Sequence, residues 1–161
     1  MVLFITALLI VLRLAAELWL NALNRREVCR RATARPPAVA AIMDEPTYAK
    51  AVDYTLAKNR FARLEMVFGA GVLAAAIFSG LLPWLFARMD VWAPGAAWNG
   101  ALIIFLASLL VGLPGLPFEW WEQFRLEGKF GFNKSTLRLW LADKIKGLLL
   151  ALAIGFPLLW A

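Results

Sequence analysis

Apolar residues fall in long runs along this chain, and polar residues are confined to the stretches between them. Residues 1–23 are apolar except for Arg13 and Glu17. Residues 66–87 carry no charge over 22 positions, and 101–116 and 147–161 are also uncharged. At a rise of about 1.5 Å per residue, the 66–87 run crosses a hydrocarbon core of about 30 Å as one helix. No alternating strand pattern, internal repeat or low-complexity tract interrupts this arrangement. The pattern predicts an all-α polytopic membrane helix bundle of about four spans, with 1–161 forming a single membrane domain. The last run gives only about 22 Å of helix, so the fourth span reads as truncated. The sequence is then expected to be a fragment, or the membrane half of a longer protein. The first run lacks the basic start and small-residue cleavage site of a signal peptide, which favours an uncleaved span.

The polar connections are structured. Pro36 and Pro37 interrupt any long helix in 24–63. A helical pattern resumes after Asp44 and Pro46, with Tyr48, Val52, Leu56 and Phe61 on one face. Gly69, Gly71 and Ala74 to Ala76 offer a small-residue face for close packing. Pro94-Gly95 reads as a turn, and Pro114, Gly115 and Pro117 predict a broken exit from the third span. Beyond it, Phe118, Trp121 and Phe124 recur at helical spacing among Glu119, Glu122, Gln123 and Arg125, an amphipathic helix with an aromatic face. Gly128 and Gly131 are expected to break that period. Asn133, Ser135 and Thr136 are good N-cap residues for a helix beginning near Ser135.

Charge orients the spans. Residues 24–63 and 119–146 are net basic, the latter with six basic against four acidic residues, whereas 88–99 is neutral. Basic loops stay cytoplasmic, so the N-terminus is expected outside, in an inner or plasma membrane. The net charge of +6 is read as this topological bias and as contact with anionic lipid around Arg25 to Arg35, with no nucleic acid as partner. Arg13 and Glu17 stand four apart and can pair along one helix side. A charge facing lipid costs several kcal/mol, so the pair is expected to face other helices, either as a structural pair or as the lining of an internal chamber.

Composition supports the membrane reading: 62% of residues are hydrophobic, with mean hydropathy +0.70, against about 45–50% apolar in soluble domains. Candidate chemistry is sparse. Zinc sites draw on His, Cys and carboxylates. The sequence has no His and a single cysteine, Cys29, which also excludes an internal disulfide framework. The motif H-E-x-x-H does not occur. The chain thus has no nominated catalytic or metal-binding residue, and no cofactor of its own is expected.

One stretch nevertheless carries a specific signature. FEWWEQFRLEGKFGFNKSTLRLWLADKIK, 118–146, together with TYAKAVDYTLAKNRF, 47–61, resembles the N-terminal membrane region of the CAAX prenyl protease family of the a-factor-converting type. These are integral-membrane zinc metalloendopeptidases. The resemblance implies that N-terminal spans help enclose an intramembrane chamber, while zinc and its base come from later helices. It assigns this chain part of the chamber wall and its cytoplasmic mouth. The lipid bilayer, the catalytic half of the same or a neighbouring polypeptide, and a peptide or prenylated peptide are its implied partners. Matching motif positions nominate Glu119, Glu122, Phe124, Phe130, Gly131, Asn133, Lys134, Asp143 and Lys146 as chamber-mouth or docking residues. Each has a plainer reading: Phe130 as an interfacial aromatic, Asn133 as a cap, Lys134 as a lipid-phosphate contact, Glu119 and Glu122 as solvated surface. A non-catalytic membrane scaffold or partner subunit is the alternative function.

Overall fold

The computed structural model describes residues 1–33, 35–92 and 98–160; among them every regular element is helical. The Pro94-Gly95 turn lies outside the described residues. Helix α1 spans Val2–Ala32. It does not stop with its apolar run near Leu23 but continues through Arg25, Arg26, Arg30 and Arg31. No Gly or Pro intervenes, and basic side chains suit a helix C-terminus. The prolines at 36 and 37 then open the short α2, Pro37–Ala40. Helix α3 spans Glu45–Phe78. The Asp44 carboxylate accepts the Thr47 N–H at 3.3 Å at its start, and hydrogen bonding to Thr47 holds that carboxyl below its ordinary range.

The uncharged 66–87 run is not the single helix expected. Gly80 adopts φ 77°, left-handed backbone that ends α3, and Ser79 Oγ accepts the Leu81 N–H at 3.3 Å. Helix α4, Leu81–Trp92, starts there, with Pro83 in its first turn, where a missing N–H is tolerated. The third run also departs from expectation. Helix α5, Trp98–Gly112, passes through a 3-10 turn, Leu113–Gly115, into α6, Leu116–Trp121. Pro114 and Pro117 each fall near the start of a new segment, so they modulate the helix without ending it. A π turn, Glu122–Glu127, and α7, Gly128–Phe130, follow. Gly128 is helical, with φ −58°; only Gly131 breaks the period. The next helix, α8, Leu137–Leu150, begins slightly later than expected. Thr136 supplies its cap, accepting the Leu139 N–H at 3.3 Å. A π turn, Ala151–Gly155, carries α8 into α9, Phe156–Trp160.

Three helical stretches are long and apolar enough to cross a membrane: Val2–Ala32, Glu45–Phe78 and Trp98–Phe130. The fourth run sits in the helical stretch that opens at Leu137, with Arg138, Asp143, Lys144 and Lys146 in its first half.

The chain forms two compact units. One comprises Met1–Gly71 with Pro117–Asn133, the other Val72–Leu116 with Lys134–Ala161. In the first, α1 and α3 run antiparallel, fixed at two levels. Asn21 Nδ2 donates to Asn59 Oδ1 at 2.8 Å and to the Asn59 carbonyl at 3.3 Å, and both residues are buried. Ten positions further along α1, the Arg31 carbonyl accepts from Tyr48 Oη at 2.8 Å. In the second unit, α5 packs against α4 and α9, and Leu85 and Ala101 are buried.

A hydrogen bond between membrane helices contributes about 0.6 kcal/mol on average and up to about 1.7. Asn21→Leu strips Asn59 of its partner in a buried position. It should lower resistance to detergent-induced unfolding by about 1 kcal/mol, and Asn59→Leu added to it should recover part of the loss.

Candidate functional site

The two signature stretches, some 70 residues apart in sequence, meet in the first unit. Helix α3 presents Lys50, Tyr54, Lys58, Phe61 and Phe68, and the segment from Phe118 to Phe132 covers them. The contact is built from a chain reversal. At the end of α7, Gly131 takes φ 78°. Its N–H donates to the Gly128 carbonyl at 3.1 Å, and the Phe132 N–H donates to the Glu127 carbonyl at 3.0 Å. This pair of bonds is the Schellman closure of a helix C-terminus. The reversal brings residues on both sides of Gly131 onto one ring. Tyr54 meets Phe130 edge-on at 5.3 Å between centroids and Phe132 at 4.8 Å. The Lys50 ammonium lies 5.8 Å from the Phe132 centroid.

A second layer is ionic. Lys58 Nζ lies 2.9 Å from Glu122 and 3.8 Å from Glu127. In an α-helix, residues five apart point well away from each other. The π turn over Glu122–Glu127 widens the helix so that both carboxylates reach one ammonium. Tyr54 Oη joins them, 3.4 Å from Glu127 Oε1 and 3.5 Å from Lys58 Nζ. A third layer is apolar: the Phe118 ring lies 4.6 Å from Phe68 and 5.9 Å from Phe61. An open notch of about 240 Å³ is lined by Lys58, Glu119, Glu122, Gln123 and Glu127.

Magnitudes rank these layers. Lys58 is 46% exposed, and an exposed ion pair contributes about 0–1 kcal/mol. Each edge-to-face aromatic pair adds about 0.5–1.5 kcal/mol beyond the area it buries. The aromatic layer therefore carries more of the docking, and the ionic layer fixes register.

Of the residues nominated from sequence, Glu119, Glu122, Phe130 and Gly131 gather here. Phe124 lies on the same segment with its ring 6.0 Å from Trp120, and Asn133 follows the reversal, half-buried. Lys134, Asp143 and Lys146 belong to the second unit and are exposed. The sequence reasoning passed over Tyr54, Lys58 and Glu127. The signal was present: Tyr54 and Lys58 stand four apart within the 47–61 signature, on the same face as Lys50. Arg13 and Glu17 pair at 2.7 Å, as their spacing predicts, but the Arg13 side chain is 71% exposed. Among the described residues no helix covers it, so the expectation that the pair faces other helices is not met by these residues.

Among the described residues, no group of three or more His, Cys, Asp or Glu is placed to hold a metal ion. The donor chemistry does not fit zinc either. There is no histidine, Cys29 is exposed on α1, and Lys58 engages both Glu122 and Glu127.

A helical bundle with membrane-spanning stretches and an interlocked helix–turn surface describes a polytopic membrane protein. Residues 24–161 match the family model described as CAAX prenyl protease N-terminal, five membrane helices, and the chain belongs to that family. It is an integral membrane protein. CAAX prenyl protease 1 of Saccharomyces cerevisiae is 32% identical over 143 residues, covering 80% of this chain and 30% of the relative. The human CAAX prenyl protease 1 homolog is 28% identical over 142 residues, 83% of this chain and 30% of the relative. The crystal structure of S. mikatae Ste24p aligns with TM-score 0.78 at 26% identity, over 96% of this chain and 38% of that one. The chain thus spans about a third of the length of the curated relatives it matches.

Gly131→Ala should destabilise the first unit by about 1–2 kcal/mol from left-handed backbone strain alone. A methyl there would meet only Lys50 Nζ, at 3.9 Å, an ordinary contact. Phe130→Ala should cost about 2 kcal/mol, below the 3–5 of a fully buried Phe because Phe130 is half-buried. Lys58→Met should cost less than about 1 kcal/mol. Unfolding titrations in mixed micelles order the three variants.

Proposed function

We propose that this chain is the membrane wall and cytoplasmic mouth of a CAAX-prenyl-protease-like zinc metalloendopeptidase, with the metal and its general base supplied by polypeptide outside these residues. The observation that carries this reading is the match to S. mikatae Ste24p, which takes in nearly all of this chain and little more than a third of that one. Zinc, when bound by the catalytic portion, would activate water and polarise a peptide carbonyl. The residues of this chain bind, orient and enclose.

Two features suit that task. Along α1, Thr6, Arg13, Glu17, Asn21 and Asn24 recur at spacings of seven, four, four and three, one polar row down a membrane helix. Asn21 of this row meets Asn59 of α3; polar groups facing lipid are costly, so the exposed Arg13 further along it suits a hydrated chamber or the catalytic portion. At the other end, the Gly131 reversal and the Lys58–Glu122–Glu127 cluster form a fixed rim. Lys134, three residues after Gly131 in sequence, would meet a substrate carboxylate. The substrate class is a peptide, prenylated on the strength of the family. In this reading the N-terminus lies outside, and both basic connections are cytoplasmic, in an inner or plasma membrane.

The test is reconstitution. The chain alone should neither cleave a prenylated peptide nor hold stoichiometric zinc. Joined to or co-expressed with the catalytic portion of a family member, it should restore cleavage. Phe130→Ala should then reduce co-purification and cleavage together, whereas Lys134→Ala should lower cleavage with co-purification intact. Cleavage by the isolated chain, abolished by a chelator, would overturn the assignment. In a Cys29→Ser background, a membrane-impermeant thiol reagent outside intact cells should label Cys at position 95 and spare 35 and 129. Labelling at 35 or 129 reverses the topology.

A further inference from the structure

The face of α1 opposite its polar row has an order of its own. Leu8, Leu12, Trp19, Leu23, Arg26 and Arg30 recur at spacings of four, seven, four, three and four, which places them in one line on a helix of 3.6 residues per turn. Leu8, Trp19, Leu23 and Arg26 stand two positions beyond Thr6, Glu17, Asn21 and Asn24, and Leu12 and Arg30 stand six beyond Thr6 and Asn24; at about 100° per residue the two lines lie on roughly opposite sides. The whole line is uncovered. Leu8 is 47% exposed, Leu12 56%, Trp19 64% and Leu23 41%, while the Arg30 side chain is 74% exposed and Arg26 is exposed.

From Leu8 to Arg30 the line passes from apolar side chains, Leu8, Leu12, Trp19 and Leu23, to two guanidinium groups. Trp19 to Arg26 covers about 10 Å of helix, the depth over which a bilayer passes from acyl chain to headgroup. Tryptophan prefers that boundary. Arg26 and Arg30, one turn apart, are about 6 Å from each other at their Cβ atoms and can both reach one phosphate. Arg26 makes no ion pair among the described residues. Arg30 contacts Glu27 at 2.9 Å, but Glu27 is shared with Arg31. Four arginines (25, 26, 30 and 31) against one glutamate leave this helix end with a net charge of +3.

We propose that this line is a binding site for one anionic phospholipid. Its phosphate is clamped between Arg26 and Arg30, and an acyl chain lies along Leu23, Trp19, Leu12 and Leu8. The occupant is a lipid, and not a protein segment, because the apolar-to-cationic order of the line follows the order of groups in a phospholipid. The site is independent of the peptidase reading.

Native mass spectrometry of the purified protein, equilibrated with equal amounts of phosphatidylglycerol and phosphatidylcholine, tests it. The wild-type protein should retain phosphatidylglycerol preferentially by about 30-fold for the two charges together. Arg26→Gln with Arg30→Gln should bring the ratio close to one. Arg25→Gln with Arg31→Gln, off the line but equal in charge removed, should leave most of it, and Arg26→Lys with Arg30→Lys should retain much of it. A photoreactive residue at position 23 of the otherwise wild-type protein, activated in membranes, should yield a lipid adduct. No preference in the wild type, equal loss in both Gln pairs, or cross-linking of position 23 to protein would each overturn the site.

Discussion

Tyr54 touches both Phe130 and Phe132, and one ring can meet two residues flanking a third only if the chain reverses between them. Gly131 makes that reversal at φ 78°, a conformation costly to any residue with a Cβ. This one constraint couples the end of a helical stretch that opens at Trp98 to the start of another that opens at Glu45. Without it, α7 would have no stop, and the π turn would have no reason to hold Glu122 and Glu127 toward Lys58. The ion pairs alone would not hold the segment, because the cluster is too exposed for its Coulomb energy to exceed about 1 kcal/mol. The aromatic contacts make the docking stable, and the charges select among possible registers.

The same constraint brings the two signature stretches into one contact. FGFNKST supplies a turn and two rings; TYAKAVDYTLAKNRF supplies the ring and cations they meet. Neither has much to do without the other. Their joint product is an interlocked aromatic and ionic contact between α3 and the segment from Phe118 to Phe132. The chain belongs to the CAAX prenyl protease N-terminal family, and among its described residues no donor cluster is placed to hold a metal ion.

Much of this was legible in the sequence. Uncharged run lengths predicted a helical membrane bundle, and the i, i+4 spacing of Arg13 and Glu17 predicted their pairing. Pro114, Gly115 and Pro117 at the third helix exit and the glycine at 131 were recognised as chain-shaping, though the prolines proved compatible with a continuing helix. What failed was local. Residues 66–87 have no charge to mark a break, so a glycine adopting φ 77° at position 80 could not be told from Gly69 or Gly71, which are helical. Gly128 was read like Gly131, yet only one of the two is left-handed. The π turn was invisible because its signature is a relation between Glu122, Glu127 and a lysine more than sixty residues earlier. Tyr54 and Lys58 were in a recognised motif, but which face of α3 they shared with the turn required the tertiary contact.

The most direct test of the central coupling is a double-mutant cycle between Tyr54 and Phe132. Tyr54→Ala, Phe132→Ala and the double variant would be compared by unfolding titration in the same micelles. If the turn is held through this ring, the two losses should fall short of additivity by about 0.5–1.5 kcal/mol. Additive losses, with no coupling beyond error, would contradict the account and leave the Gly131 reversal as a local feature of its own helix.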